Sequence, residues 1–166
     1  MNLLFDFTVD KASKTIYITR EFAADLDLVW DAFTKAEILD RWSAPKPLRA
    51  HTKEMDFREG GRWLYCMISP ENVTIGWSMV EFLTIRPKSG FSTRNTFADE
   101  NGNQKSNAFS LVTNSFKEGT ETTTVYIEKK FDDLATLEML VSMGFREGTV
   151  AAWNNLDEYF TTLVTK

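Results

Sequence analysis

Residues 133–163 read DLATLEMLVSMGFREGTVAAWNNLDEYFTTL, and their apolar side chains recur three and four positions apart. This spacing is typical of an α-helix with one apolar face, and Asp133 is a suitable N-terminal cap. Gly144 and Gly148 interrupt the pattern, since glycine inside a helix costs about 1 kcal/mol relative to alanine. The sequence predicts a short helix, a break near Gly144 and a long C-terminal helix. The two glycines either keep one helix face slim beside a ligand or the sheet, or simply mark the break.

The residues before this helix alternate between apolar and polar, as strands do. Residues 15–23, TIYITREFA, predict the first main strand, and residues 3–9 predict a short strand before it. Further strands are expected at 48–57, 62–68, 73–85, 91–98, 108–116 and 122–131, separated by turns rich in glycine, proline and asparagine. Two short helices are expected after the first main strand, one capped by Asp25 and one over 36–42 that ends before Pro45.

These elements predict one domain over residues 1–166, a common length for a single hydrophobic core. Connections of hairpin length make the sheet antiparallel, and only the last helix is long enough to cover one of its faces. We therefore expect an α+β helix-grip fold, in which a curved antiparallel sheet of about seven strands wraps around a long C-terminal helix.

Composition excludes several classes of protein. The chain has 43% hydrophobic and 13% aromatic residues, which excludes disorder as the overall state. Its net charge of −5 argues against nucleic-acid and anionic-membrane partners, since both require basic patches. The N-terminus does not read as a signal peptide and no apolar run is long enough to span a bilayer, so we expect a cytoplasmic protein.

No constellation of catalytic or metal-binding residues stands out. A single cysteine, Cys66, and a single histidine, His51, exclude an intrachain disulfide and leave too few ligands for an ordinary zinc site. The glycines in residues 58–62, REGGR, are followed by neither a helix nor the Lys-Ser/Thr pair of a P-loop, so this segment is expected to be a hairpin turn. Asp56 and Arg58 are expected to pair and hold that turn. We therefore predict no catalytic residue, no metal and no cofactor.

Six blocks resemble a known family. In chain order they are TIYITREFAADLDLVWDAFT, DRWSAPKP, MDFREGGRWLY, FADENGN, MGFREG and NNLDEYF. Their order and spacing are similar to the SRPBCC (START-like, birch-pollen-allergen-like) superfamily, in the branch named after the C-terminal domain of the activator of heat-shock-protein-90 ATPase. The resemblance covers about residues 9–163. It implies a seven-stranded sheet gripping a long helix, with a cavity for an apolar ligand between them. Relatives elsewhere in the superfamily bind lipids, hormones or polyketides, and a few catalyse reactions, so the shared fold does not imply a reaction.

The aromatic content is the main candidate for a binding site. Strand phase refines the choice: Arg62 is charged, so its phase, with Leu64 and Cys66, is expected to face outward and the alternate positions inward. The same argument puts Val125 and Ile127 inward. The predicted ligand-binding residues are Trp30, Trp42, Trp63, Tyr65, Met67, Trp77, Phe91, Phe109, Phe145 and Trp153.

Three functions remain open. The first is binding of an apolar or amphipathic small molecule between the sheet and the C-terminal helix. The second is a chaperone-cofactor-like interaction domain, although the namesake also uses a separate N-terminal domain that is absent here. The third is a cyclase, dehydratase or hydrolase using the same cavity. A homodimer through an outward apolar patch of Leu64 and Ile68 is a further hypothesis.

Overall fold

The computed structural model describes residues 3–164 and is built from eight strands and four helices over that range. In chain order these are β1 (Phe5–Asp10), β2 (Thr15–Phe22), α1 (Leu26–Thr34), α2 (Ala36–Trp42), β3 (Arg49–Met55), β4 (Arg62–Ile68), β5 (Thr74–Arg86), β6 (Gly90–Ala98), β7 (Ser110–Glu118), β8 (Thr123–Phe131), α3 (Leu134–Ser142) and α4 (Phe145–Val164).

All eight strands form one antiparallel sheet in the order β1-β2-β8-β7-β6-β5-β4-β3. Strands adjacent in sequence are therefore neighbours in the sheet, with one exception. After β2 the chain passes through α1 and α2 to β3, which forms the edge of the sheet opposite β1. The helix-grip prediction is confirmed. The sheet exceeds the seven strands that the resemblance implied because residues 5–10, the short preceding strand expected from the alternation, pair with β2.

The predicted helix boundaries follow from local chemistry. Asp25 caps α1, accepting a hydrogen bond from the Leu28 N–H at 2.9 Å, and Asp133 caps α3 through the Thr136 N–H at 2.7 Å. Gly144 has φ of +91°, a left-handed conformation that glycine adopts easily, and it separates α3 from α4. The predicted break near Gly144 is confirmed.

The main core lies between the concave face of the sheet and α4. Phe22 of β2 packs against Trp153 and Phe160 of α4, with ring centroids 5.6 and 5.8 Å apart. Arg20, one pleat away on the same face, forms an ion pair with Asp157 of α4. The sheet and the helix are therefore joined by both apolar packing and a charged contact.

A smaller apolar cluster lies on the outer face of the sheet and corrects one prediction. Leu64 and Cys66 of β4 face outward, as the strand phase predicted. However, Leu64 is only 1% exposed and Cys66 only 2%, so the outer face is not a free surface at these positions. Leu64 packs with Met79 and Ala98, and the turn after β6 folds back so that Gly102 lies against Met79. The proposed dimer patch of Leu64 and Ile68 is therefore wrong for Leu64, because that side chain is already buried within its own chain.

Over residues 3–164, the longest helix does not combine the length and the hydropathy that a bilayer-spanning helix needs.

Candidate functional site

A cavity of about 360 Å³ lies between the inner face of the sheet and the N-terminal half of α4. Its walls come from the central strands on one side and from α2 and α4 on the other, and most of its lining side chains are aromatic or aliphatic. A second cavity, of about 240 Å³, adjoins it beneath α3. The two share Tyr65, Met67, Val80, Asn95, Lys129 and Phe145 as lining residues. They are therefore neighbouring chambers of one pocket.

Eight of the ten sequence-predicted binding residues line these chambers. Trp42, Trp63, Tyr65, Met67, Phe91, Phe145 and Trp153 line the larger one, and Phe109 lines the smaller one with Tyr65, Met67 and Phe145. The phase argument for β4 accounts for three of them, since every second residue of that strand faces the helix. Whether they bind a ligand stays a prediction.

The other two predicted residues, Trp30 and Trp77, lie elsewhere. Trp30 packs edge-on against Phe57, Phe91 and Phe116, with centroids 5.9, 5.9 and 5.1 Å away, and is part of the aromatic core beside the cavity. Trp77 alternates with inward-facing Ser78 and so packs on the outer cluster. Aromatic character alone does not distinguish core, outer-face and cavity positions.

One wall of the cavity is an ordered aromatic pair on β4. The rings of Trp63 and Tyr65 stack at 3.9 Å between centroids. The Trp63 indole N–H donates to the Thr52 hydroxyl oxygen at 2.9 Å, and that hydroxyl donates to a carboxylate oxygen of Asp40 at 2.6 Å. This chain of hydrogen bonds runs from α2 through β3 to β4 and fixes the orientation of the indole.

The Tyr65 phenol is the polar end of that wall. Burial raises its pKa above the usual value, while a hydrogen bond with Ser78 acts weakly in the opposite direction. The hydroxyl is therefore neutral at physiological pH and remains a hydrogen-bond donor and acceptor.

The strands opposite the helix contribute uncharged polar groups that sequence reasoning missed. The Thr93 hydroxyl donates to the amide oxygen of Asn95 at 2.6 Å. The amide of Asn114 donates to the Phe91 carbonyl at 3.5 Å, a long contact. All three line the larger cavity, and they continue the inward phase of β6 and β7. The alternation of β6 and β7 could have identified these residues in the sequence, whereas their residue type could not.

Lys129 of β8 is the most distinctive residue of the lining. Among the residues that line either chamber it alone carries a charged side chain. Burial lowers the pKa of its ammonium to about 8. The amine lies 5.6 Å from the centre of the Phe131 ring and 5.8 Å from that of Phe145. Sequence reasoning missed it, although extending the inward phase by two residues from Ile127 reaches it.

The long helix presents a gap to the cavity at Gly148. This residue lines the larger chamber, and a β-carbon built on it would meet no atom within 4 Å. Of the two interpretations of the glycine pair, Gly144 marks the break and Gly148 leaves space. Further along α4, Asn155 donates to the Ala44 carbonyl at 2.9 Å and fastens the segment after α2 to the helix.

The lining is chemically simple. It contains no carboxylate and no imidazole among the described residues, so proton transfer there would depend on Tyr65 or Lys129. Within the same part of the chain, no three histidine, cysteine, aspartate or glutamate side chains cluster closely enough to hold a metal ion. His51 and Cys66 are cross-strand partners, and neither lines a chamber. The arrangement suits enclosure of an apolar body with a few polar contacts.

Comparison with known proteins gives a consistent picture. The model of the family described as Activator of Hsp90 ATPase homolog 1-like protein matches residues 23–161. No curated protein matches the chain.

Several solved structures share the fold. The crystal structure of protein Ms6760 from Mycobacterium smegmatis is 26% identical, with a TM-score of 0.87 over 98% of this chain and 99% of that one. A solution structure of a protein from Arthrobacter aurescens is 24% identical, with a TM-score of 0.84 over 92% and 88%. One from Staphylococcus epidermidis is also 24% identical, with a TM-score of 0.79 over 91% and 92%.

Proposed function

The chain belongs to the family of Activator of Hsp90 ATPase homolog 1-like proteins, and on that premise we propose that it binds an apolar or amphipathic small molecule in the cavity between its sheet and α4. The observation that carries the proposal is the cavity itself. A space of about 360 Å³ falls within the range of ligand pockets, about 300–1,000 Å³.

The chemistry of the walls supports an apolar occupant. Aromatic side chains approach from the sheet and from the helix, as Trp63 and Trp153 do, and supply large apolar contact areas. Polar side chains are a minority of the lining and, apart from Ser43, Thr136 and Thr149, they lie on the strands. They would therefore orient a ligand without making the space hydrophilic. The proposal therefore requires burial of an apolar body with one polar end near the strands.

The two alternatives have no comparable support. A chaperone-cofactor role would use an outer surface, and no feature of residues 3–164 identifies such a surface. A cyclase, dehydratase or hydrolase would use the same space, yet the lining among the described residues contains no carboxylate or imidazole to serve as acid or base. Ligand binding is the function that the geometry supports best.

A cavity-filling variant tests the proposal. Gly148→Leu directs an isobutyl group into the larger chamber, because nothing occupies the space beside this residue. Titration with the neutral fluorescent probe N-phenyl-1-naphthylamine is expected to show saturable binding to the wild type and at least tenfold weaker binding to the variant.

The matched control is Glu147→Leu, which adds the same side chain one position earlier, on the exposed side of α4. This control is expected to bind the probe as the wild type does. Equal binding by all three proteins, or no binding by the wild type, would overturn the proposal, provided that thermal unfolding shows each variant to be folded.

A further inference from the structure

Lys129 is a cation facing an apolar chamber without a counter-ion. Over residues 3–164, its side chain makes no hydrogen bond and no ion pair to another residue. The inward neighbours of this position are apolar: Ile16 across the β2 ladder and Val112 across the β7 ladder. The Lys129 side chain is partly exposed, and an ammonium that loses part of its water without gaining a partner is costly to bury.

The other elements packed against this space do not supply a partner. The lining residues of α4 are Phe145, Gly148, Thr149, Ala152 and Trp153, and those of α3 are Thr136 and Leu140. None of these seven side chains is titratable. On the sheet, the remaining titratable group of the lining is the Tyr65 phenol, which is neutral.

The two aromatic rings near the Lys129 amine compensate only in part for its missing counter-ion. The amine is 5.6 and 5.8 Å from the centres of Phe131 and Phe145, near the outer limit for attraction between a cation and an aromatic face. Phenylalanine is also a weaker partner than tryptophan in such contacts. The position therefore retains the capacity to bind an anion.

The location of the amine decides where an anion would sit. Lys129 lines both chambers, so it stands where they adjoin. Asn95 and Tyr65 also line both chambers and offer uncharged donors to the same region. One molecule could hold its acidic group at this junction and extend its apolar part between Trp63 and Trp153.

We propose that the ligand of this cavity carries a carboxylate, and that Lys129 binds it while the aromatic walls hold the apolar remainder. This inference rests on the proposed function and narrows it to a class of ligand, the amphipathic carboxylic acids. A hydrogen bond between an ammonium and a carboxylate is among the stronger ones in proteins, and partial exclusion of water by the apolar lining strengthens it.

Matched pairs of acid and alcohol test the class. Decanoic acid and 1-decanol form one pair, and 2-naphthoic acid and 2-naphthalenemethanol form a second pair. Affinities are measured at pH 7 by displacement of N-phenyl-1-naphthylamine. The readout is the ratio of acid affinity to alcohol affinity, since this ratio cancels differences in how well the apolar part fits.

The decisive variant is Lys129→Met, which keeps an unbranched side chain one atom shorter and removes its charge. The ratio is expected to fall about tenfold or more in this variant, while binding of the alcohols changes little. Lys130→Met is the control, because Lys130 is the next residue of β8 and is exposed on the other face. The control is expected to keep the wild-type ratio.

The outcomes separate this inference from the one on which it rests. If alcohols and acids bind but the ratio is the same in wild type and Lys129→Met, the carboxylate assignment is overturned and the binding function stands. If the wild type binds neither the four compounds nor the neutral probe, both are overturned.

Discussion

The ring of Trp63 stacks on that of Tyr65, with centroids 3.9 Å apart and planes 15° from parallel. The two residues are separated by one position on β4, so the strand itself sets their spacing. The indole N–H donates a hydrogen bond to the Thr52 hydroxyl, and this hydroxyl donates one to Asp40. The flat aromatic wall of the cavity therefore depends on contacts among α2, β3 and β4, in addition to the two stacked rings.

Removal of the Thr52 hydroxyl, which joins the other two groups, should lower the stability of the fold. Thr52→Val leaves the Trp63 indole N–H without its acceptor and Asp40 without its donor, so we expect the free energy of unfolding to fall by about 1–2 kcal/mol. Urea denaturation measures this change. Thr113→Val is the control, because Thr113 is exposed on the outer face of β7 and should change stability by less than about 0.5 kcal/mol. Equal effects would show that the hydrogen bonds do not orient the wall.

The ion pair between Arg20 and Asp157 should behave as a partly buried pair. Burial raises the pKa of Asp157 more than Arg20 lowers it, so the pair contributes little net stability. Arg20→Met leaves the carboxylate unpaired and should cost about 1–2 kcal/mol, a value kept low because the Asp157 side chain is 37% exposed.

The double variant Arg20→Met/Asp157→Leu removes both charges and should recover at least half of that loss. Denaturation of both variants in urea makes the comparison. A double variant less stable than the single one would mean that the pair is a net source of stability.

The two glycines of the helical region should respond to alanine in opposite directions. Gly144 has φ of +91°, so Gly144→Ala forces a strained backbone and should lower stability by about 1 kcal/mol or more. Gly148 lies within α4 beside open space, so Gly148→Ala should raise stability by about 0.5–1 kcal/mol. Thermal unfolding of the two variants is sufficient, and changes of the same sign would refute this account of the helix break.

Lys129 should give stability a specific dependence on pH. Its folded-state pKa is about 8, below the value of about 10.4 expected in the unfolded chain. Below pH 8 both states hold the proton and the cost of burial is fully present, so Lys129→Met should be more stable than the wild type by on the order of 2 kcal/mol. From pH 8 to 9.5 the folded state releases the proton first, so the wild type should gain stability relative to the variant.

The upper limit of that range avoids Tyr65, whose raised pKa acts in the opposite sense above about pH 10. Lys130→Met serves again as control, because this side chain is exposed on the other face of β8. A constant difference between wild type and Lys129→Met across pH 7 to 9.5 would mean that the amine is not buried from water.

The sequence predicted the architecture well because each element carries its own signal. Period-two alternation identified the strands, Asp25 and Asp133 marked helix starts, and Gly144 marked the break. The site was harder to predict. The rule that a charged residue faces outward gave the correct phase for Arg62 on β4. The same rule failed for Lys129, which lies on the inner face of β8.

Long-range contacts explain the remaining differences. Leu64 and Cys66 face outward as the strand phase predicted, yet both are buried. At Leu64 the cover includes Met79, against which the turn after β6 folds back at Gly102. Trp30 joined the core and not the cavity because three phenylalanines from other segments surround it. Local periodicity contains no information about either arrangement.

Native mass spectrometry of the protein purified from its own host tests the central claim most directly. We expect a mass above that of the polypeptide, with the difference released on denaturation as a small acidic, apolar compound. Its return should raise the melting temperature, because a ligand that binds only the folded state stabilises it. The bare polypeptide mass in the native spectrum, with no change in melting temperature on addition of apolar acids or alcohols, would contradict the account.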